Sequence, residues 1–380
     1  MAKNKALQEA ARAQQDEFYT DIHDIEHELM YYSKELFYDK VVLCNCDDPY
    51  ESAFFEYFAT SFNSLRLRKL IATCYAGSQI AQRQLSLFDE NLPSPKHKPY
   101  CAVIESLQDY NGDGRKDLLD IEYILKHNEG GELRILKGDG DFRSPECIEL
   151  LKEADIVVTN PPHSLLREYV AMLVKYGKQF IILANFNAVT YKEIFPLFMT
   201  NQMWLGVSNG DKHFRVPEYY EPRETRYWVD EDGQKFRSLG NMCWFTNMKH
   251  GRYNDTMFLV NTYYGHEDEY PHYDNYDAIE VSKTSDIPCD YDGVMGVPVT
   301  FLDKYNPTQF DILGITIGRE KFAKEAWPTK RYINAVQHNP NGTTANGSKI
   351  NTRAAIAVKN PTGVYYTADN TDEKLQILYA

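Results

Sequence analysis

Residues 155–166 read DIVVTNPPHSLL, an apolar run that ends in Asn160, Pro161, Pro162 and His163. Proline lacks an N–H and has a fixed φ, and the residue before a proline is forced to be extended. Asn160 and the Pro161 carbonyl are thereby held as two hydrogen-bond acceptors facing one point. Two such acceptors suit an –NH2 group. An amine on an aromatic ring has its lone pair delocalised into that ring. Bonding both of its hydrogens shifts the nitrogen toward a tetrahedral, nucleophilic form, and no charged base is required. A flat side chain at position 163 can stack on the ring that carries the amine. A strand that simply ends in a Pro-Pro turn accounts for the same residues without chemistry.

The elements that must position this tetrapeptide recur along the first two thirds of the chain. Strand-like runs are KVVLCN (40–45), KLIATCY (69–75), PYCAVIE (99–105), LRILKGD (133–139), DIVVTN (155–160) and QFIILAN (179–185). Helix-like stretches separate several of them: ESAFFEYFATSF, LLDIEYILKHN, SPECIELLKEA and SLLREYVAMLVKY. Short apolar strands alternating with helices predict an α/β protein with a parallel sheet and crossover helices, both faces covered. MWLGVSN (203–209) and NMCWFTN (241–247) are candidates for later strands, and residues 5–37 read as helical. After about residue 250 the alternation fades into a stretch rich in Tyr, Asp, Asn and Pro. The expected division is a catalytic domain over 1–250 and a smaller region over 251–380.

In an open parallel sheet, ligands lie beyond the C-terminal ends of the strands. The first exit, VVLCNCDDPYES, offers Asn45, Asp48 and Pro49, with Asp48 as helix N-cap and Pro49 at the first helical position. No glycine fingerprint accompanies them. Cys44 and Cys46 lack the second cysteine pair of a zinc finger. The exit LKGDGDFRSPE offers Asp141, a carboxylate able to accept from an adenine amino group, and Phe142, a ring able to stack on adenine. An ordinary Asp/Gly turn explains that segment equally.

Taken together, these segments resemble the adenine-specific DNA methyltransferases, and among them the group of the EcoRI modification enzyme. The family tetrapeptide Asn-Pro-Pro-aromatic is matched by Asn160, Pro161 and Pro162, with His163 in the aromatic place. DEFYT (16–20) resembles the family's N-terminal motif, which packs on the methionine of the cofactor through Phe18, Tyr19 and Thr20. CNCDDPYES resembles the cofactor loop through Asp48 and Pro49, and Asp141-Phe142 resembles the contact to the cofactor adenine. The order of these motifs is that of one class of the family, and GVPVTFLDKYNPTQFDILG (296–314) also resembles the EcoRI-type group. The resemblance implies a Rossmann-like S-adenosylmethionine-dependent methyltransferase sheet with a smaller C-terminal DNA-recognition region. It further implies methyl transfer to N6 of an adenine flipped out of double-stranded DNA, without a metal.

The net charge is −14, which taken alone argues against a nucleic-acid partner. The charge is uneven, however. Residues 312–362 carry a net +6, leaving −20 on the rest. Arg319, Lys321, Lys330, Arg331, Lys349 and Arg353 in that segment are the expected phosphate contacts. DYNGDGRKDLLD (109–120) has the spacing of a calcium loop, although Asp120 stands where such loops carry Glu; a turn before a helix is the competing reading. The odd count of seven cysteines suits a reducing compartment. The N-terminus lacks an apolar signal region and no stretch is long enough to span a membrane, so a cytoplasmic protein is expected. An enzyme acting on RNA or on a glutamine amide, and a non-catalytic DNA- or calcium-binding relative, remain as alternative readings.

Overall fold

The computed structural model describes residues 18–46, 52–74, 99–216, 220–273, 277–315 and 353–359. By its internal contacts the chain divides into two compact units. The first holds residues 1–188 and 205–251; the second holds 189–204 and 252–380. Residues 189–204 thus lie inside the span read as the first domain but group with the second unit.

The strands are β1 (Tyr19–Thr20), β2 (Val41–Asn45), β3 (Lys69–Thr73), β4 (Tyr100–Ile104), β5 (Gly131–Ile135), β6 (Ile156–Thr159), β7 (Gln179–Asn185), β8 (Trp204–Leu205), β9 (Gly210–Arg215), β10 (Tyr227–Val229) and β11 (Lys235–Thr246), followed in the second unit by β12 (Ile279–Glu280), β13 (Met295–Pro298), β14 (Phe310–Ile315) and β15 (Arg353–Val358). The α-helices are α1 (Ile22–Leu29), α2 (Ala53–Thr60), α3 (Leu118–His127), α4 (Pro145–Glu153), α5 (Leu166–Lys175) and α6 (Phe195–Met199).

The sheet of the first unit runs in the order β1-β9-β11-β7-β6-β2-β3-β4-β5, with β10 beside β11. Its centre is parallel: β3, β2, β6 and β7 run the same way. Their apolar residues are covered on both faces, with Val42, Ile156, Val157, Val158, Ile181 and Leu183 at 0% exposure. The parallel sheet expected from the alternation is present at the centre, and the flanks are antiparallel. β4 and β5 each run antiparallel to the strand before them, and β11 is antiparallel to β7. The reason at β5 is local. The chain leaves β4, makes α3, and returns so closely that the Gly130 carbonyl accepts from the Glu105 and Ser106 N–H groups. A Cβ on Gly131 would lie 2.2 Å from the Val103 carbonyl oxygen. The helix is an excursion within a hairpin, and strand–helix alternation alone does not distinguish this from a crossover.

The helical reading of residues 5–37 holds only in part among the described residues. Residues 19–20 pair as β1 with β9, and the α-helix is confined to 22–29, capped by Asp21. α2 begins one residue after Ser52, whose hydroxyl accepts from the Phe55 N–H, so the cap is not Asp48. The calcium-like loop is satisfied by its own backbone. Asp109 accepts from Gly112 and Gly114, and Asp120 from Tyr110, Asn111 and Asp117. Asp117 and Asp120 form the capping box of α3.

α1 is tied to the sheet by a buried carboxylate. Glu28 is 0% exposed and accepts from the Val207 and Ser208 N–H groups, the Ser208 hydroxyl and the Tyr32 hydroxyl. Gly206 is required there, since a Cβ would lie 2.1 Å from Glu28 Oε1. The Trp244 indole N–H donates to the Ser208 hydroxyl, which carries the network into β11.

The second unit has a four-stranded sheet in the order β12-β13-β15-β14. Asn306, 1% exposed, donates to the Asn254 and Asp255 carbonyls and accepts from Thr308. Among the described residues no helix is long and apolar enough to cross a membrane.

Glu28→Ala strips several buried donors of their only shared acceptor. It is expected to lower unfolding free energy by about 3 kcal/mol, read as a fall in the urea midpoint with an unchanged slope.

Candidate active site

β6 is wholly buried and delivers Asn160 to the C-terminal edge of the sheet, beside the end of β2. The Pro162 carbonyl accepts from Leu165 N–H at 2.9 Å, so the chain turns through a 3-10 segment (His163–Leu165) directly into α5.

Asn160 is 8% exposed. Its Nδ2 donates to the Phe18 carbonyl at 3.0 Å and to Thr20 Oγ1 at 3.3 Å. A backbone carbonyl can only accept, so this contact fixes which end of the amide faces the N-terminal segment. The other end, Oδ1, is buried and has no hydrogen-bond partner among the described residues. A buried acceptor left open in this way costs about 1–3 kcal/mol unless a donor arrives to fill it.

The neighbouring exits are joined to this one. Thr159 donates its hydroxyl to the Asn45 carbonyl, and the Tyr169 hydroxyl donates to Asn45 Oδ1. Tyr169, from α5, is fully buried, and that burial pushes its hydroxyl well above the usual tyrosine range, so it stays a donor. Its ring meets Phe142 edge to face, with centroids 5.1 Å apart. Asn45, Phe142 and Asn160 therefore converge from three separate loops. Cys46, the next residue after β2, has φ 78°, a left-handed conformation that glycine usually supplies. The sharp exit expected of a cofactor loop is present here without glycine.

Asp141 is arranged differently from expectation. Its carboxylate is gripped by Arg143, at 2.9 Å from Nε and 2.7 Å from a terminal nitrogen, and Arg143 also pairs with Glu168. The Arg143 guanidinium holds the Asp141 carboxyl below the usual carboxylate range. Phe142 is buried against Tyr169, with the Arg143 cation 5.2 Å from its ring centre.

A wall rises beyond this edge. Met242–Thr246 of β11 pair with Asn185–Ile181 of β7 in antiparallel sense, so residues 235–241 run on past the C-terminal end of β7. There they pair with β9, which pairs with β1. Phe18 sits between His163, at 6.0 Å, and the wall residues Phe214 and Tyr220, at 5.6 and 6.2 Å. Tyr19 lies under the Arg215 guanidinium at 4.6 Å. The N-terminal motif thus holds Asn160 and packs on His163. Sequence reasoning missed Tyr169 and the wall. The wall's signal was legible in the aromatic and basic interleaving of Tyr220, Arg223, Arg226, Tyr227, Trp228 and Arg237.

Of the other expected residues, Asp48, Pro49, Arg319, Lys321, Lys330, Arg331 and Lys349 lie outside the described residues. Arg353 is described. It is buried against Glu280 with Nε and a terminal nitrogen at 2.9 and 2.6 Å from Oε1, and Tyr273 donates to the same carboxylate. In this arrangement its guanidinium is paired within the second unit. Among the described residues no group of three or more His, Cys, Asp or Glu side chains is placed to hold a metal ion.

The family model described as adenine-specific methyltransferase EcoRI matches residues 6–360. The chain is 46% identical over 314 residues to the type II methyltransferase M.EcoRI of Escherichia coli, covering 82% of this chain and 89% of that one. It is 37% identical over 308 residues to each of two Mycoplasma proteins, with about the same share of this chain aligned. These are the type II methyltransferases M.MgeORF184P of Mycoplasma genitalium and M.MpnI of Mycoplasma pneumoniae, covered over 84% and 83% of their lengths. No solved structure matches.

Tyr169→Phe leaves the buried Asn45 oxygen without its donor. The expected loss is about 1–3 kcal/mol of stability, measured by urea unfolding. An unchanged midpoint would show that this bond does not hold the exits together.

Proposed function

The chain belongs to the EcoRI-type family of adenine-specific methyltransferases, and from that premise we propose how its own residues carry out the reaction. The activity is type II, site-specific methylation of adenine in DNA. The family is adenine-specific, which sets aside the glutamine-amide alternative. In our reading the acceptor is N6 of an adenine turned out of double-stranded DNA into the site. The methyl donor is S-adenosylmethionine, and the protein works in the cytoplasm, where the host DNA lies.

The open, buried Asn160 Oδ1 carries this reading. It accepts one N6 hydrogen, and the Pro161 carbonyl accepts the other. Both Asn160 Nδ2 hydrogens are already used by Phe18 and Thr20, so the amide cannot turn its donor end toward the base. His163 stacks on the flipped adenine, backed by Phe18. When bound, S-adenosylmethionine supplies a methyl group on a positively charged sulfur, an electrophile strong enough for a neutral amine. The edge formed by Asn45, Cys46, Asp141 and Phe142 fits such a nucleoside in its donor set. Carboxylate and amide oxygens there suit hydroxyl and amino groups, and a buried ring suits the purine. Asp141 must share its carboxylate between Arg143 and the ligand. The segment containing Lys330 and Arg331 is our candidate for the backbone contacts of the second unit.

Asn160→Ala is expected to cut turnover by about 100-fold or more, while calorimetry shows S-adenosylmethionine binding close to the parent. Turnover near the parent level would remove Asn160 from the reaction. Thr20→Val deletes one of the two amide clamps and leaves the substrate-facing oxygen in place. Its expected effect is smaller, about tenfold in kcat with little change in KM. A change confined to KM would mean that Thr20 meets a ligand directly.

A further inference from the structure

The wall beside Asn160 contains a cation that no carboxylate among the described residues neutralises. Arg237 lies opposite Phe214 across β11 and β9, and Phe214 lies opposite Thr20 across β9 and β1. Direct partners in an antiparallel pair share a face, so Thr20, Phe214 and Arg237 form one row. Thr20 is the residue that clamps Asn160. Strands in a sheet are spaced about 4.8 Å apart, which puts Arg237 two spacings, about 10 Å, along that row from Thr20.

The Arg237 side chain is half-buried. One terminal nitrogen donates to the Tyr220 hydroxyl at 2.7 Å, and the guanidinium lies 5.7 Å from the Tyr220 ring centre. Its Nε is buried with no hydrogen-bond partner among the described residues. No carboxylate of the described residues pairs with it. Arg68, Arg134, Arg143, Arg226, Arg252 and Arg353 all have acidic partners. Two further cations gather on the same tyrosine: Arg223 at 5.9 Å from its ring centre, and Lys235, whose ammonium donates to the Tyr220 carbonyl at 3.4 Å. A guanidinium held in a rigid fork, partly desolvated and unneutralised, is the donor set for an oxyanion.

We propose that Arg237, braced by Tyr220, binds a backbone phosphate of the DNA strand that carries the target adenine, next to the flipped nucleotide. The proposal rests on the adenine-flipping reading above and assigns a DNA contact to the catalytic unit itself. The carboxylate of the methyl donor is the other available oxyanion. Thr20 of this row belongs to the motif that the family resemblance places on the donor's methionine, so cofactor affinity is measured beside DNA affinity; the strand order favours the phosphate. In the strand order Asn160 stands at the end of β6, the cofactor edge lies toward β2, and Arg237 lies on the opposite side, past β7.

The test uses the full-length enzyme and a duplex containing its own methylation site, located by sequencing methylated host DNA. Each phosphate flanking the target adenine is replaced in turn by a neutral methylphosphonate. Binding is followed by fluorescence anisotropy over a range of salt concentrations. For the parent enzyme, one neutral linkage next to the adenine is expected to weaken binding about tenfold or more. Arg237→Gln is expected to weaken binding to the unmodified duplex by a similar factor and to lower the log–log salt slope by about 0.9. The same methylphosphonate should then cost the variant almost nothing. S-adenosylmethionine affinity should be unchanged. If the variant loses cofactor affinity and keeps its DNA affinity, the guanidinium serves the donor's carboxylate and the proposal fails. It also fails if no flanking linkage affects the parent, a measurement that needs no variant to fold. Parent enzyme that does not methylate adenine at all would instead overturn the functional reading.

Discussion

A primary amide has two donors on one side and an acceptor on the other, and the candidate site depends on that asymmetry at Asn160. The Phe18 carbonyl and the Thr20 hydroxyl take up the donors. What is left to face the ligand is oxygen alone, buried and unfilled. The chain thus spends an N-terminal segment, the β1–β9 pairing and part of a wall on orienting one side chain. Without them Asn160 could present either end. A substrate amine would then compete with the protein's own amide hydrogens. Preorganised acceptors of this kind contribute to rate because they need no rearrangement when charge develops.

The part of this arrangement that lies close in sequence was legible there. Asn-Pro-Pro after a buried strand specifies an extended exit and a helix start within about ten residues, and both occur where the composition places them. The central parallel strands were legible for the same reason, as short β-branched runs with helices between. What the sequence concealed depends on long-range pairing. That β5 returns against β4 is decided by a close approach at Gly131, not by any property of the intervening helix. That residues 19–20 form a strand is decided by β9, almost two hundred residues away. The expectation of Arg353 as a phosphate contact likewise could not take its partner into account. Its charge is evident in the sequence, but Glu280, its partner, is 73 residues distant. The cofactor loop shows the opposite case. Its missing glycine suggested a departure from the family, yet Cys46 adopts the backbone conformation that a glycine would have provided.

The acidic body and the positive C-terminal segment divide the work of recognition in our reading, but the division is not complete. Positive charge is also gathered in the first unit, where Tyr220 meets Arg223, Lys235 and Arg237. Net charge summed over long segments conceals such a cluster, because the surrounding carboxylates cancel it in the sum and not in space.

β11 belongs at once to the core sheet and to the wall. Its second half is paired in the centre of the sheet, its first half stands over the site, and the register shift between Leu239 and Met242 bends one continuous backbone between the two roles. Such a strand is a cantilever whose root is the most buried part of the molecule. Amide hydrogens on either side of the bend are therefore expected to exchange with solvent together, since opening the wall would unpeel β11 from β7. In our reading a flipped base enters along the wall's face. On that reading the time a strand of DNA spends in the site is set by the DNA's own unstacking and by side chains more than by motion of the backbone around Asn160.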